Sequence, residues 1–151
     1  PFMGELMRPM EDAARAARLA IERVQVAGAA DLERAFGTDG RTRQVAAFVY
    51  GAAQVEPQAV TATALAAGMP TMFSDRGFVD AGGLASYRLY WDNQTRRTAA
   101  QVDKVLRGEK PARIPFELPT RSELALNKAT ARALGLTIPQ SLLLRADVVV
   151  E

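Results

Sequence analysis

The sequence predicts an α/β fold, a parallel sheet layered with helices on both faces, and three observations carry that expectation. Two short apolar runs, "VAAFVY" (Val45–Tyr50) and "PTMF" (Pro70–Phe73), have the composition of strands covered on both sides. Helical stretches separate the extended ones, so the first half reads α-β-α-β-α-β. Crossovers between parallel strands are right-handed, which winds such an alternation into one doubly wound layer.

Met3, Met7, Met10, Ala14 and Ala17 recur at helical spacing, with Glu5, Arg8, Glu11 and Arg15 off that stripe; this predicts an amphipathic helix to about Leu19. Pro9 is expected to mark its first turn, where a missing N–H is harmless. In "AIERVQV" (Ala20–Val26) the alternation is imperfect, and Val24 and Val26 predict a short strand at its end. Asp31 is expected to cap a short helix with Leu32 and Phe36 on one face, stopped by Gly37. "GTDGRTR" is a polar loop before the Val45–Tyr50 strand. Pro57 suits the first turn of the next helix, with Val60, Ala64 and Ala67 on one side and Gly68 closing it.

After Phe73 the expected elements are a short helix around Phe78, a Gly82-Gly83 turn and a strand over Leu84–Leu89. Asp92 or Asn93 is expected to cap a helix carrying Ala99, Val102, Val105 and Leu106, ended by Gly108. "EKPARIPFELPTR" contains three prolines and is expected to be extended. "SELALN" reads as a strand whose Asn127 caps "KATARAL", stopped at Gly135; Pro139 opens a last helix and "DVVVE" is a short extended tail. The first helix has no strand before it, so the chain is expected to begin inside a βα unit.

Composition narrows the function. With 151 residues, 48% hydrophobic and 24% charged, this is an ordinary globular chain with room for one core. No apolar run is long enough to span a bilayer, and no charged-then-apolar secretion signal stands at the N-terminus. The chain opens at Pro1 without Met, which predicts processing or trimming. Lys and Arg exceed Asp and Glu by only 19 − 17 = 2. The pI of 9.3 therefore reflects the lack of groups titrating in between, not a cationic face for nucleic acid. Arg41/Arg43 and Arg96/Arg97 are too sparse to make such a face. The absence of His and Cys excludes Ser-His-Asp and Cys-His nucleophilic sites and the usual zinc sites within the chain. No cofactor or metal is expected. The segment "LNKATARALGLTIPQSLLLRAD" is open at this stage to three readings: a DNA-reading helical pair, an enzyme lid, or the final return of a larger fold.

"FVDAGGLASY" (Phe78–Tyr87), "VDKVLRGEKPARIPFELPT" (Val102–Thr120) and "LNKATARALGLTIPQSLLLRADVVVE" (Leu126–Glu151) together resemble the C-terminal part of ABC-transporter substrate-binding proteins, in the branch of uncharacterised and aromatic-amino-acid-type components. "ADLERAF" and "AAGMPTMF" extend the resemblance weakly upstream. The chain departs from the pattern at Arg88, where Gly is usual, and at Ser122, where an aromatic is common.

The resemblance implies a type I periplasmic-binding fold: two α/β lobes, joined by crossing segments, that close on a small solute. It implies that this chain lacks the N-terminal lobe and the first strand of the C-terminal lobe. Residues 1–83 would then be C-terminal lobe, and 84–151 crossing segments and terminal return. It also implies a periplasmic or lipoprotein-anchored location and delivery of the solute to a membrane permease. The helical pair near the end becomes the last return of a two-lobe fold, with self-association through the surface left by the missing lobe as a further expectation.

Ligands of open parallel sheets bind beyond the carboxyl ends of the strands. Tyr50, Phe73 and Ser74 are therefore expected to face the cleft, with Ser86 and Tyr87 near the crossing segment; the competing reading is that Tyr50 and Phe73 merely cap the sheet core. Asp75 and Arg76 read as a surface ion pair, and Trp91 as packing behind the crossing segment. Two other functions compete: a stand-alone α/β interaction or signalling domain without ligand, and an enzyme using Ser74, Asp75 or Lys104. The second ranks last, because neither a Gly-rich phosphate loop nor a nucleophile elbow is present.

Overall fold

The computed structural model describes residues 2–36, 46–51, 55–89, 91–115 and 121–151. Helix α1 spans Phe2–Ala16, α2 Leu32–Ala35, α3 Pro57–Ala66, α4 Gly77–Asp80, α5 Trp91–Leu106, α6 Lys128–Ala133 and α7 Gln140–Leu143; the strands are β1 Ala47–Val49, β2 Thr71–Phe73, β3 Ala85–Leu89, β4 Ser122–Asn127 and β5 Val148–Val150. The five strands form one sheet in the order β1-β2-β3-β4-β5. β1, β2 and β3 are mutually parallel, β4 is antiparallel to β3, and β5 is parallel to β4. The sheet is thus mixed where the sequence predicts a parallel one.

Local chemistry explains the boundaries. α3 begins with Pro57 in its first turn and ends at Gly68, whose φ of +65° lets Met69 N–H reach back to the Ala64 carbonyl at 2.9 Å. α6 is capped at one end by Asn127, whose Oδ1 accepts from Thr130 N–H at 2.9 Å, and at the other by Gly135 at φ +68°. α1 differs from expectation: it runs through Pro9 and stops at Ala16, with Arg18 taking the left-handed conformation (φ 58°) that glycine supplies elsewhere. The Asp31 carboxylate makes no cap bond to α2. It accepts from Ala27 N–H at 3.0 Å and from Arg34, closing the turn before the helix.

Residues 19–27, expected to end in a strand at Val24–Val26, form no regular element, and Leu19, Ile21, Val24 and Val26 are exposed. A strand exists only with a neighbour to take its N–H and C=O groups, and none pairs with this segment among the described residues. The α-β-α-β-α-β order loses its first strand accordingly. α5 starts at Trp91, so Asp92 and Asn93 lie inside it rather than capping it. Residues 111–113, expected to be extended, form one 3₁₀ turn. The "GTDGRTR" loop, Gly37, Val45, Ala52 and residues 116–120 lie outside the described residues.

Strand register assigns the two faces. Val49, Phe73, Ser86, Ala125 and Val148 are successive partners across the sheet and share one face; Phe48, Met72, Ala85, Leu126 and Val149 share the other. The first face carries the core, in which Leu32 and Phe36 of the α2 region, Val60 and Ala64 of α3, Met69 and Phe73 form one buried cluster. The rings of Phe73 and Phe78 stack at 4.6 Å, 3° from parallel. The second face is more open, with Phe48, Tyr50, Tyr87 and Leu89 each about half exposed.

Gly83 makes the first face possible. A Cβ there would lie 2.5 Å from Phe73 Cε2 and 2.8 Å from the Phe78 backbone oxygen. One obstacle is backbone, so rotamer changes cannot relieve it. Gly83→Ala should cost about 1–3 kcal/mol, the usual range for overpacking, read as a lower midpoint in urea at unchanged slope.

At the far end of the sheet, Lys128 Nζ donates to Glu151 Oε1 at 2.7 Å. The hydrogen bond and charge of Lys128 hold the Glu151 carboxyl below the ordinary value of 4.5. A carboxylate lowered in the folded state adds stability above its unfolded pKa, and that contribution is lost as pH falls through the folded value. A carboxyl-carbon NMR titration should give Glu151 a midpoint below 4.5, moving back toward it in Lys128→Ala.

Candidate functional site

The carboxyl ends of β1, β2 and β3 lie along one edge of the sheet, because the three strands are parallel; β4 starts at the same edge, since Ser122 pairs with Leu89. β2 ends at Phe73, opposite Ser86. β3 continues through Tyr87, Arg88 and Leu89, paired there only with β4. Beyond the end of β2, a two-stranded ribbon of β3 and β4 therefore continues past the edge, and the corner between them is the candidate recess.

The five residues that the sequence places at this edge fall into two rows. The level Val49–Phe73–Ser86 fixes the next level outward as Tyr50–Ser74–Tyr87, and Ser74 N–H donates to the Val49 carbonyl at 3.2 Å, extending the ladder to that point. Alternation puts these three on the more open face, as successors of Phe48, Met72 and Ala85. Tyr50 and Tyr87 are 47% and 53% exposed and Ser74 is half-buried. Phe73 and Ser86 belong to the opposite face and are wholly buried. Their side chains offer no surface at the recess: Phe73 is a core ring, and Ser86 sits under the helices of the first face.

Ser86 Oγ has no hydrogen-bond partner among the described residues. Burying a lone hydroxyl is unfavourable, so Ser86→Ala should leave the melting temperature unchanged or raise it by a few degrees. A clear loss of stability would mean that Ser86 has a partner, such as a buried water.

Both departures from the family pattern acquire partners on the ribbon. Tyr87 Oη and Ser122 Oγ are 2.6 Å apart, a hydrogen bond across 35 residues of sequence. Arg88 Nε donates to Glu123 Oε1 at 2.8 Å, with the side chains only 20% and 6% exposed. Sequence reasoning named Arg88 and Ser122 only as departures. Their placement opposite Glu123 and Tyr87 depends on the β3–β4 register.

The charges near the β2 end are used locally. Asp75 Oδ1 accepts from Gly77 N–H at 2.7 Å and shapes the entry to α4. Arg76 pairs with Asp80 at 3.3 Å, not with Asp75 as the sequence suggests. The Trp91 side chain lies outside the described residues. Among the described residues, no group of three Asp or Glu side chains is placed to hold a metal ion, and no helix is long and apolar enough to cross a membrane.

A hollow of about 370 Å³ lies elsewhere, between α5 and the following turn, lined chiefly by Val102, Val105, Leu106, Pro111 and Ile114. It is open and mostly apolar, with Thr98 and Gln101 as its polar lining, and it lies away from the carboxyl ends of the parallel strands, where ligands of open sheets bind, so the strand ends are the better candidate.

A family model described as ABC transporter substrate binding protein matches residues 5–150. No curated protein matches the chain. Among solved structures, a conserved domain protein from Vibrio cholerae O1 biovar El Tor superposes with a TM-score of 0.81 at 22% identity, over 97% of this chain and 50% of its own. An ABC domain in complex with L-Trp from Streptococcus pneumoniae superposes at 0.77 and 23% identity, over 98% and 52%. A ligand-free, open substrate-binding protein with adhesive properties from Clostridium difficile superposes at 0.62 and 16% identity, over 93% and 48%. The chain thus spans about half the length of the structures it matches.

Proposed function

The chain belongs to the ABC transporter substrate-binding protein family, and from that premise we propose that it is one lobe, with crossing segments, of the solute-binding component of an importer. It takes a small solute such as an amino acid in a cleft against a second lobe, and passes it to a membrane permease. The protein carrying it works at the cell envelope and performs no catalysis. The observation that carries this reading is the row Tyr50–Ser74–Tyr87, which presents two exposed rings and a hydroxyl at the carboxyl edge of the parallel strands. The L-Trp bound to the Streptococcus pneumoniae structure supports an amino acid as the solute class. The more open sheet face, with Phe48 and Leu89 about half exposed, supports self-association of the isolated chain.

Native mass spectrometry of the purified chain tests this. A small-metabolite adduct, released as a free amino acid on denaturation, is the expected result. A ligand-free dimer that stays ligand-free after soaking in an amino-acid mixture would contradict solute binding and leave only the interaction surface.

A further inference from the structure

We propose that the chain pairs with a second copy of itself by strand exchange, residues 20–26 of each copy adding to the free edge of β1 in the other; this deepens the self-association stated above and is independent of solute binding. Two halves of a strand pair lie unmatched in one molecule. β1 ends the sheet, and among the described residues only β2 pairs with it. Ala47 N–H donates to the Pro70 carbonyl at 2.9 Å, and the Val49 carbonyl accepts from Ser74 N–H at 3.2 Å, so residues 47 and 49 bond inward. Alternation along the strand turns the N–H and C=O of Phe48 outward, where a further strand can take them. The other half is residues 19–27, which carry strand-forming side chains and belong to no regular element.

The side chains fit this placement on both faces. In an extended segment Leu19 and Ile21 fall on one side and Val24 and Val26 on the other, and all four are exposed. The edge offers apolar neighbours on both faces as well. Ala47 and Val49 pack against the core on one, and Phe48, 45% exposed, stands on the other. The chain's own segment does not fill its own edge. Ala27 N–H donates to Asp31 Oδ2 at 3.0 Å and Asp31 N–H to the Gly28 carbonyl at 3.1 Å, while Leu32 and Phe36 anchor the following turn in the core. That closed turn fixes the direction in which residues 20–26 leave the lobe, and they leave unpaired. A second copy brings the same segment free of this constraint. Mutual exchange closes a two-fold dimer and leaves no β1 edge for a third chain.

The chain has no cysteine, so crosslinks can be placed singly. Val24→Cys and Phe48→Cys chains are mixed and gently oxidised. The expected product is the mixed dimer, in excess of its statistical share over the two like dimers. A chain carrying both substitutions should give crosslinked dimer and not a monomer with an internal disulfide. Sedimentation follows the uncrosslinked chain. Val24→Pro removes an N–H from the added strand at a position exposed in the lone chain, and should weaken dimerisation about tenfold, whereas Val24→Thr should leave it nearly unchanged. A purely statistical mixture of crosslinks, an internal disulfide in the double variant, or a dimer indifferent to Val24→Pro overturns strand exchange and leaves self-association standing. A chain that stays monomeric at every concentration overturns both, whether or not it binds an amino acid.

Discussion

Phe73→Ala should destabilise the chain by about 3–5 kcal/mol, the range for deleting a fully buried aromatic side chain. The ring is wholly buried, stacked on Phe78, and joined in one cluster to Leu32, Phe36, Val60, Ala64 and Met69. Its removal takes a large apolar area from the core and leaves a cavity between α3, α4 and the sheet that the short strands cannot collapse to fill. At about 2–4 °C per kcal/mol for a domain of this size, the melting temperature should fall by about 10 °C. Phe73→Leu should cost much less, because most of the volume is kept. This experiment also separates the two sequence readings of Phe73. A ring facing a ligand would lose affinity on truncation with stability nearly intact; a core ring loses stability first.

Arg88→Ala should cost about as much, about 3–5 kcal/mol, for a different reason. The Glu123 side chain is 6% exposed, and its carboxylate accepts the Arg88 Nε–H at 2.8 Å on the ribbon that walls the recess. Without Arg88 the buried carboxylate loses the guanidinium paired with it, and the penalty is its desolvation more than the attraction lost. Replacing both residues with apolar ones, Arg88→Met with Glu123→Leu, should recover most of the loss, since a buried ion pair and a well-packed apolar pair are close in free energy. Thermal melts of the single and double variants measure this directly. A single variant that melts like the parent would show that water reaches Glu123 and that the pair only decorates the ribbon.

Three helix stops were legible in the sequence because glycine marks them locally, whereas the stop of α1 at Ala16, with Arg18 left-handed, was not. Gly68, Gly108 and Gly135 each follow an apolar stripe, and a left-handed residue at that point is needed whatever the rest of the chain does. The Asn127 cap was legible for the same reason. The direction of β4 was not. "SELALN" reads as a strand either way round, and its antiparallel pairing is expressed in contacts 35 residues apart, Tyr87 with Ser122 and Arg88 with Glu123. Val24–Val26 carries strand-like residues, but propensity without a hydrogen-bonding neighbour yields exposed chain with no regular structure.

The candidate site was half legible, in that the sequence named residues of one sheet edge without their faces, and one signal went unused. Phe73 and Ser74 are adjacent, as are Ser86 and Tyr87, and neighbours on a strand point to opposite faces. The sequence alone thus forbids both members of either pair from facing the recess. Which member faces it depends on which face the helices cover, and that follows from the packing of α2, α3 and α4.

The most direct test of the account is a map of NMR shift changes along the chain as an amino-acid mixture is added. The account predicts changes concentrated at residues 50–51, 73–76 and 87–89, the carboxyl edge of the parallel strands. Changes concentrated at residues 98–115, around the apolar hollow beside α5, with the tyrosine row silent, would contradict it.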